Sequence, residues 1–333
     1  MKIGIFTALF HDRPIEEALD YIAGAGIESV ELGGGAYPGA RHLEDMGGIA
    51  ALSQDDGARA KLVKAVRDRG LIISAISVHG NPLHPNRKTA QEHHDAFENA
   101  VLLAEKLQGD GIMPQATVNG FSGCPGDSPR AKNPNWVTCA WPDEYRDILE
   151  YQWKVAGRYW RAQNRFLRQH NTVFAIEAHP GFLVYNPDTL LRLRKVAGDR
   201  IGCNFDPSHF WWQGIEPLTA VRELGKAGAI FHAHAKDTRI DPINAARNGT
   251  LDTKSYGDVL DRSWIFRSVG YGHGTSWWKD FVSNLRMIGY DYVLSIEHED
   301  SLLSTKEGLH KALDTLKEAV VTEQPGPMFW ARD

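Results

Sequence analysis

Four apolar runs in the second half of the chain each close on a side chain able to bind metal. They are Val173-Phe174-Ala175-Ile176-Glu177, Ile201-Gly202-Cys203-Asn204-Phe205-Asp206, Ile230-Phe231-His232-Ala233-His234 and Tyr292-Val293-Leu294-Ser295-Ile296-Glu297. One such ending carries little information, because an acid at a strand end usually just meets solvent. Four in succession, each separated from the next by a helical pattern, are what a (β/α)8 barrel supplies when its strand ends converge on one divalent cation.

The rest of the chain fits the same plan. Strand-like runs fall near 3–8, 29–33, 71–78, 111–116, 172–177, 200–206, 229–234 and 291–297, and apolar residues recur at helical spacing between them. Such alternation predicts a parallel sheet with covering helices. The expected organisation is one α/β barrel over 1–321, a (β/α)8 TIM barrel, followed by a C-terminal tail over 322–333. Two connections, about 117–141 and 235–277, exceed ordinary loop length and are candidate lids. The second ends in Gly270-Tyr271-Gly272, which suggests a tight backbone turn near ligand.

Charge and composition exclude several classes. The formal net charge is −5 with Lys and Arg scattered, so the basic stripe needed for a nucleic-acid partner is missing. There is no long apolar span and no charged-apolar-small leader pattern, so no membrane partner is expected and a cytoplasmic location is. Three cysteines, Cys124, Cys139 and Cys203, have no zinc-site spacing, and an odd count argues against a disulfide framework.

Glu177, Asp206, His234 and Glu297 offer three hard oxygen donors and one nitrogen, a set suited first to Mn²⁺, with Mg²⁺ and Co²⁺ as alternatives. His232 and His234 point to the same side of their strand, so periodicity leaves both open as the ligand. Further polar residues cluster at the same strand ends: Glu31, His79, Asn81, His179, His209 and Lys236. His79, Asn81, His209, Trp211, Lys236 and Arg239 are the expected substrate contacts. Trp136, Trp141, Trp211, Trp212, Trp277 and Trp278 lie in or beside predicted mouth loops, where flat aromatic faces suit the C–H faces of a carbohydrate. An apolar Met328-Phe329-Trp330 near the C-terminus suggests a homo-oligomer.

At Ile176-Glu177-Ala178-His179-Pro180, Asn204-Phe205-Asp206-Pro207-Ser208-His209, His232-Ala233-His234-Ala235-Lys236-Asp237 and Ser295-Ile296-Glu297 the sequence resembles the xylose isomerase-like barrel superfamily of sugar isomerases and epimerases. The resemblance spans nearly the whole chain. It implies that His234 rather than His232 is the ligand. It also implies a metal-dependent isomerase or epimerase that works through an enediolate of a keto-sugar or keto-cyclitol, with Glu177 and Glu297 as the catalytic acid/base pair. The chain departs from the ketose 3-epimerases in Ala235-Lys236-Asp237-Thr238-Arg239, in the enlarged 235–277 connection and in His179. These departures point to a larger substrate, a keto-inositol or an oxidised glycoside. The alternative they imply is a lyase that expels water or an aglycone, as in C-glycoside deglycosidases, with His179 or His209 as catalytic base and a small partner subunit.

Overall fold

In the computed structural model, which describes residues 1–330, eight parallel strands close into a barrel. In chain order the strands are β1 (Lys2–Phe6), β2 (Ser29–Gly33), β3 (Ile72–Val78), β4 (Thr117–Gly120), β5 (Val173–Glu177), β6 (Ile201–Phe205), β7 (Ile230–Ala235), β8 (Asp237–Ile240), β9 (Trp264–Arg267) and β10 (Val293–Ile296). Around the barrel they run β1-β10-β7-β6-β5-β4-β3-β2, while β8 and β9 form a separate two-stranded sheet. The fold is therefore a (β/α)8 barrel whose seventh unit carries an insertion.

Some of the covering helices begin where a side chain satisfies their free N–H groups. Asp55 accepts from the amides of Gly57 and Ala58 ahead of helix Asp56–Arg67, and Asn186 and Thr189 form a reciprocal capping box on Pro187–Ala197. The long helix Asp143–Gln169 buries Trp153, Ala156, Trp160 and Leu167, a one-faced stripe at helical spacing. Trp160 stacks on Phe174 of β5 at 4.9 Å between ring centres, and its indole N–H donates to the Ser122 carbonyl at 2.9 Å. Packing and polar satisfaction thus fix the helix to the strand that carries Glu177.

The structure moves one sequence-based expectation and gives another a different form. The fourth strand is Thr117–Gly120, not 111–116. Ile112 and Met113 are buried, but in the turn leading to β4. The strand itself turns polar Thr117 and Asn119 into fully buried positions and so does not read as an apolar run. The connection after β7 is also not an irregular lid. It holds the antiparallel pair β8–β9, with Asp237 opposite Arg267 and Ile240 opposite Trp264, and a short helix Pro242–Asn248.

This insertion has its own small core, in which Trp212 and Trp264 stack at 4.6 Å with Phe266 beside them. Asp237 pins it to the barrel. Its Oδ2 accepts from the amides of Gly270, Gly272 and His273 at 3.1, 2.9 and 2.9 Å, and its Oδ1 accepts from His273 Nδ1 at 2.8 Å. A Cβ on Gly272 would lie 2.3 Å from the Thr238 carbonyl oxygen. The glycine turn therefore wraps a carboxylate of the chain itself, not a ligand.

At the other end, the N-terminal ammonium pairs with Asp291 at 2.7 Å and donates to the Val321 carbonyl at 3.0 Å. Beyond it Phe329 is 92% exposed and Met328 and Trp330 are largely exposed; the last three residues of the 322–333 tail lie outside the described residues. Among the described residues no helix is long and apolar enough to cross a membrane.

The grip of Asp237 predicts that Asp237→Ala strands several amide donors and costs about 1–3 kcal/mol. The change should lower the urea midpoint and open the 235–277 segment to limited proteolysis first. An unchanged midpoint and cleavage pattern would show that the anchor contributes nothing.

Candidate metal centre and active site

Each side chain of the site owes its position to the barrel. Strands β5, β6, β7 and β10 run side by side in the barrel, and their C-terminal ends point to one mouth. There Glu177, Asp206, His234 and Glu297 each offer a ligand atom, all within 4.8 Å of one another. Asp206 Oδ1 accepts from the Ser208 amide at 2.8 Å, which fixes the carboxylate plane. Asp206 Oδ2 and Glu297 Oε2 are buried and receive no hydrogen bond. Bare carboxylate oxygens in a buried, mixed oxygen–nitrogen set fit a divalent cation.

His234 is the nitrogen donor with the right surroundings. Its Nδ1 lies 3.1 Å from Glu297 Oε2 and 3.3 Å from Glu177 Oε2. His232 sits deeper and is committed elsewhere, its Nδ1 donating to Asn204 Oδ1 at 2.9 Å. Burial outweighs the opposing charge of Glu31 and pushes its pKa down to about 4, so it is a neutral core imidazole. Asn204 in turn donates to Glu177 Oε2 at 3.3 Å.

Around these ligands stands a ring of acids and bases. His79 Nε2 is 3.2 Å from Glu177 Oε2, and His209 Nε2 is 3.0 Å from Glu177 Oε1 and 3.3 Å from Asp206 Oδ2. Burial works against charge on His209, yet the two carboxylates raise its pKa to about 9. Lys236 is 2.7 Å from Glu299 and 3.3 Å from Glu297, with Phe266 of the insertion 4.3 Å from its ammonium. Although burial disfavours its charge, Glu297 and Glu299 hold its pKa well above the ordinary lysine value. His179 behaves in the opposite way: burial, aided by the charge of His209, lowers it to about 3. Its Nδ1 faces the Pro180 carbonyl, which can only accept, so Nδ1 carries the proton and Nε2 keeps a free lone pair.

These groups form one wall of a cavity of about 680 Å³. Its other lining comes from loops: Leu9 after β1, Tyr37 after β2, Phe121 after β4, Tyr256 and Ile265 in the insertion, and Leu303 after β10. His79, His179, His209 and Lys236 line this space together with Glu177 and Glu297.

Three of the expected substrate contacts lie elsewhere. Asn81 uses its side chain to hold the 121–126 loop, accepting from the amides of Leu83 and Cys124 at 3.1 and 2.9 Å and donating to the Cys124 carbonyl at 2.9 Å. Trp211 stacks face to face on His273 at 3.8 Å and packs against Trp277. Arg239 lies exposed on β8. The tryptophans expected over the mouth are also displaced: Trp141 is 76% exposed, Trp136 meets Tyr185, and Trp212, Trp277 and Trp278 pack among other aromatics. The aromatic residues that do line the cavity are Phe6, Tyr37, Phe121, Tyr256 and Phe266. Sequence reasoning passed over Glu299 and these rings. Glu299, two residues past Glu297, had the i+2 spacing that returns a side chain to the same face.

The chain matches the sequence model of the xylose isomerase-like TIM barrel over residues 19–319. It is 35% identical over 327 residues to the uncharacterised protein YfiH of Bacillus subtilis, covering 96% of this chain and 99% of that protein. It is 32% identical over 164 residues to the rhizopine catabolism protein MocC of Rhizobium meliloti, covering 47% of this chain and 48% of that one. Among solved structures, the IolI protein with a bound zinc atom is similar with a TM-score of 0.64 at 18% identity, covering 96% of this chain and 98% of that one. The Escherichia coli 3-keto-D-glucoside 4-epimerase YcjR is similar with a TM-score of 0.57 at 14% identity, covering 95% and 99%. At these identities the solved structures speak to the fold alone.

The electrostatics of the site predict a pH dependence for metal binding. Burial opposes a proton on His234, but Glu31, Glu177 and Glu297 raise its pKa well above the ordinary value, so a cation competes with a proton held more tightly than on a free imidazole. Affinity for Mn²⁺ should therefore rise from about pH 6 to about pH 8, with proton uptake by the buffer visible in calorimetry across buffers of different ionisation enthalpy. Binding that is flat over this range would remove His234 from the ligand set.

Proposed function

Since the chain belongs to the xylose isomerase-like TIM barrel family, we propose that it is a divalent-metal-dependent isomerase or epimerase acting on a keto-sugar or keto-cyclitol. The observation that carries this reading is the convergence of Glu177, Asp206, His234 and Glu297 beneath a cavity that also holds separate acid and base groups. A cation held by these four supplies Lewis-acid polarisation of a substrate carbonyl and so makes the neighbouring C–H bond more acidic. Mn²⁺ is the ion we propose first; the zinc atom of IolI makes Zn²⁺ the competitor to test.

The protein groups then divide the proton chemistry. Glu177 and Glu297 flank His234 from strands on different sides of the mouth and offer carboxylate oxygens for taking and returning a proton. Lys236, held between Glu297 and Glu299, presents an ammonium to oxygen that gains negative charge. Phe266 covers that ammonium and excludes water from it. YcjR acts on a 3-keto-D-glucoside, which supports an oxidised glycoside among the substrates to try.

His179 favours a second reading. Its free Nε2 lone pair faces the cavity beside Glu177, and a neutral base in that place suits a lyase that expels water or an aglycone from the same kind of substrate. A partner subunit would belong to that reading. We also propose a cytoplasmic homo-oligomer, supported by three unpaired cysteines and the apolar tail; light scattering at micromolar concentration tests the assembly.

Incubating the Mn²⁺ protein with oxidised sugars and inososes in deuterated water should introduce deuterium next to the carbonyl, read by mass. Treatment with a chelator should abolish the exchange while far-ultraviolet circular dichroism stays the same. Exchange that survives complete metal removal would end the metal-dependent reading.

Substitution separates the two readings. Glu177→Gln and Glu297→Gln should each lower turnover by about 10²–10⁴-fold or more, with one of them still exchanging the substrate proton. If both keep near-normal turnover while His179→Ala is inactive, the base is a histidine and the lyase reading takes over.

A further inference from the structure

Glu31 is the most deeply buried carboxylate near the site, and none of the roles above uses it. It lies on β2, three strand steps around the barrel from His234 on β7, and has no solvent exposure. Removing a carboxylate this far from water costs several kcal/mol unless charge and hydrogen bonds offset it. The barrel interior provides them from several strands: Ser77 Oγ of β3, Asn119 Nδ2 of β4 at 3.0 Å and Ser295 Oγ of β10 at 2.6 Å all donate to Glu31. The remaining partner is His234, whose Nε2 lies 3.1 Å from both Glu31 oxygens.

The two edges of the His234 ring therefore face different carboxylates. Nδ1 looks toward Glu177 and Glu297, and Nε2 looks toward Glu31. Glu31 already receives hydrogen bonds from three other side chains and has no need of an ion. The Glu31 oxygens can only accept, so when a cation displaces one proton of the ring, the proton facing Glu31 stays on Nε2 and Nδ1 provides the lone pair for the metal. The neighbouring amides agree with this assignment. Asn204 is 3.1 Å from the same Nε2, but it has Glu177 Oε2 as an acceptor at 3.3 Å and need not donate to the ring.

We propose that Glu31 is a positioning residue for the metal centre: by accepting from His234 Nε2 it fixes the ring's tautomer and orientation and presents Nδ1 to the cation. The inference rests on reading Glu177, Asp206, His234 and Glu297 as the ligands. A carboxylate behind a metal-bound imidazole raises the basicity of the ligand, and loss of such a partner typically weakens metal affinity by about 10–100-fold. The choice of glutamate over a neutral residue follows, since a negative partner strengthens the imidazole as a donor whereas a neutral amide would only orient it.

The test measures metal binding, not turnover. Mn²⁺ affinity of the full chain and of Glu31→Gln is compared by competition with a chromophoric chelator, alongside the thermal unfolding of each protein without metal. The expected result is a metal-free protein that still folds and binds Mn²⁺ about 10–100-fold more weakly. Equal affinity in the two proteins overturns the proposal while leaving the ligand set intact; a wild-type protein that binds no divalent ion overturns both. A second measurement needs no substitution and holds even if Glu31→Gln fails to fold. In the Zn²⁺-loaded wild type labelled with ¹⁵N-histidine, the ring that gains a metal shift should carry it on Nδ1 and keep a proton on Nε2. A metal shift on Nε2 would overturn the proposal.

Discussion

Too much negative charge in too little water is the condition around which this barrel mouth is built. Glu31, Glu177 and Asp206 are almost completely buried, and Glu297 is mostly so. Carboxylates this close repel one another and lose hydration, so each must be matched by a donor or a cation. The interior answers with His234, His209 and Lys236, and with amides and hydroxyls on several strands. The oxygens of Asp206 and Glu297 that face the cluster lie near these positive groups yet receive no hydrogen bond. A divalent ion held there would satisfy oxygens that the protein's own donors leave without one.

The polar interior also alters what the barrel strands look like. An ordinary barrel fills its inner layers with branched apolar side chains. Here the layer holding Glu31, Asn119, Asn204, His232 and Ser295 is a hydrogen-bonded sheet of polar side chains, with its direction set by which groups can donate. These bonds restrain the members of the network, although Asn119 Oδ1 and His232 Nε2 stay buried without a partner.

The ligand set was legible because it combines two regularities: an apolar strand signals its own end, and the end of a parallel barrel strand has only one place to point. That reasoning holds for Glu177, Asp206, His234 and Glu297 as positions in the fold. It fails where a strand's inward face is itself polar, and β4 was displaced by several residues for this reason, Asn119 being part of the network instead of the core. Residues near a ligand in sequence were not all near it in space. Asn81 turned to the backbone of a neighbouring loop, Trp211, on a short helix after β6, to His273, and Arg239, on the separate β8–β9 pair, to solvent. The hairpin escaped notice because β8 and β9 are only four residues each, carry the charged Asp237, Arg239 and Arg267, and are far apart within the connection. Glu31 was visible as an acid in an apolar strand, but its partner lies 203 residues away, and no local pattern connects them.

Three residues at the junction of β7 with the hairpin have unlike tasks in quick succession. His234 turns inward to the ligand set, Lys236 reaches the cavity, and Asp237 holds the glycine turn that closes the insertion. The floor of the cavity comes from strands, whereas Tyr256, Ile265 and Phe266 come from a segment anchored at that seam and also by Arg267 on Asp300 and Trp264 on Trp212. A lineage that altered this segment would redraw the space offered to a substrate without editing the residues beneath it. The same seam sets the limit of such drift, because a hairpin that lost register at Asp237 would carry Phe266 off Lys236 and let water reach that ammonium.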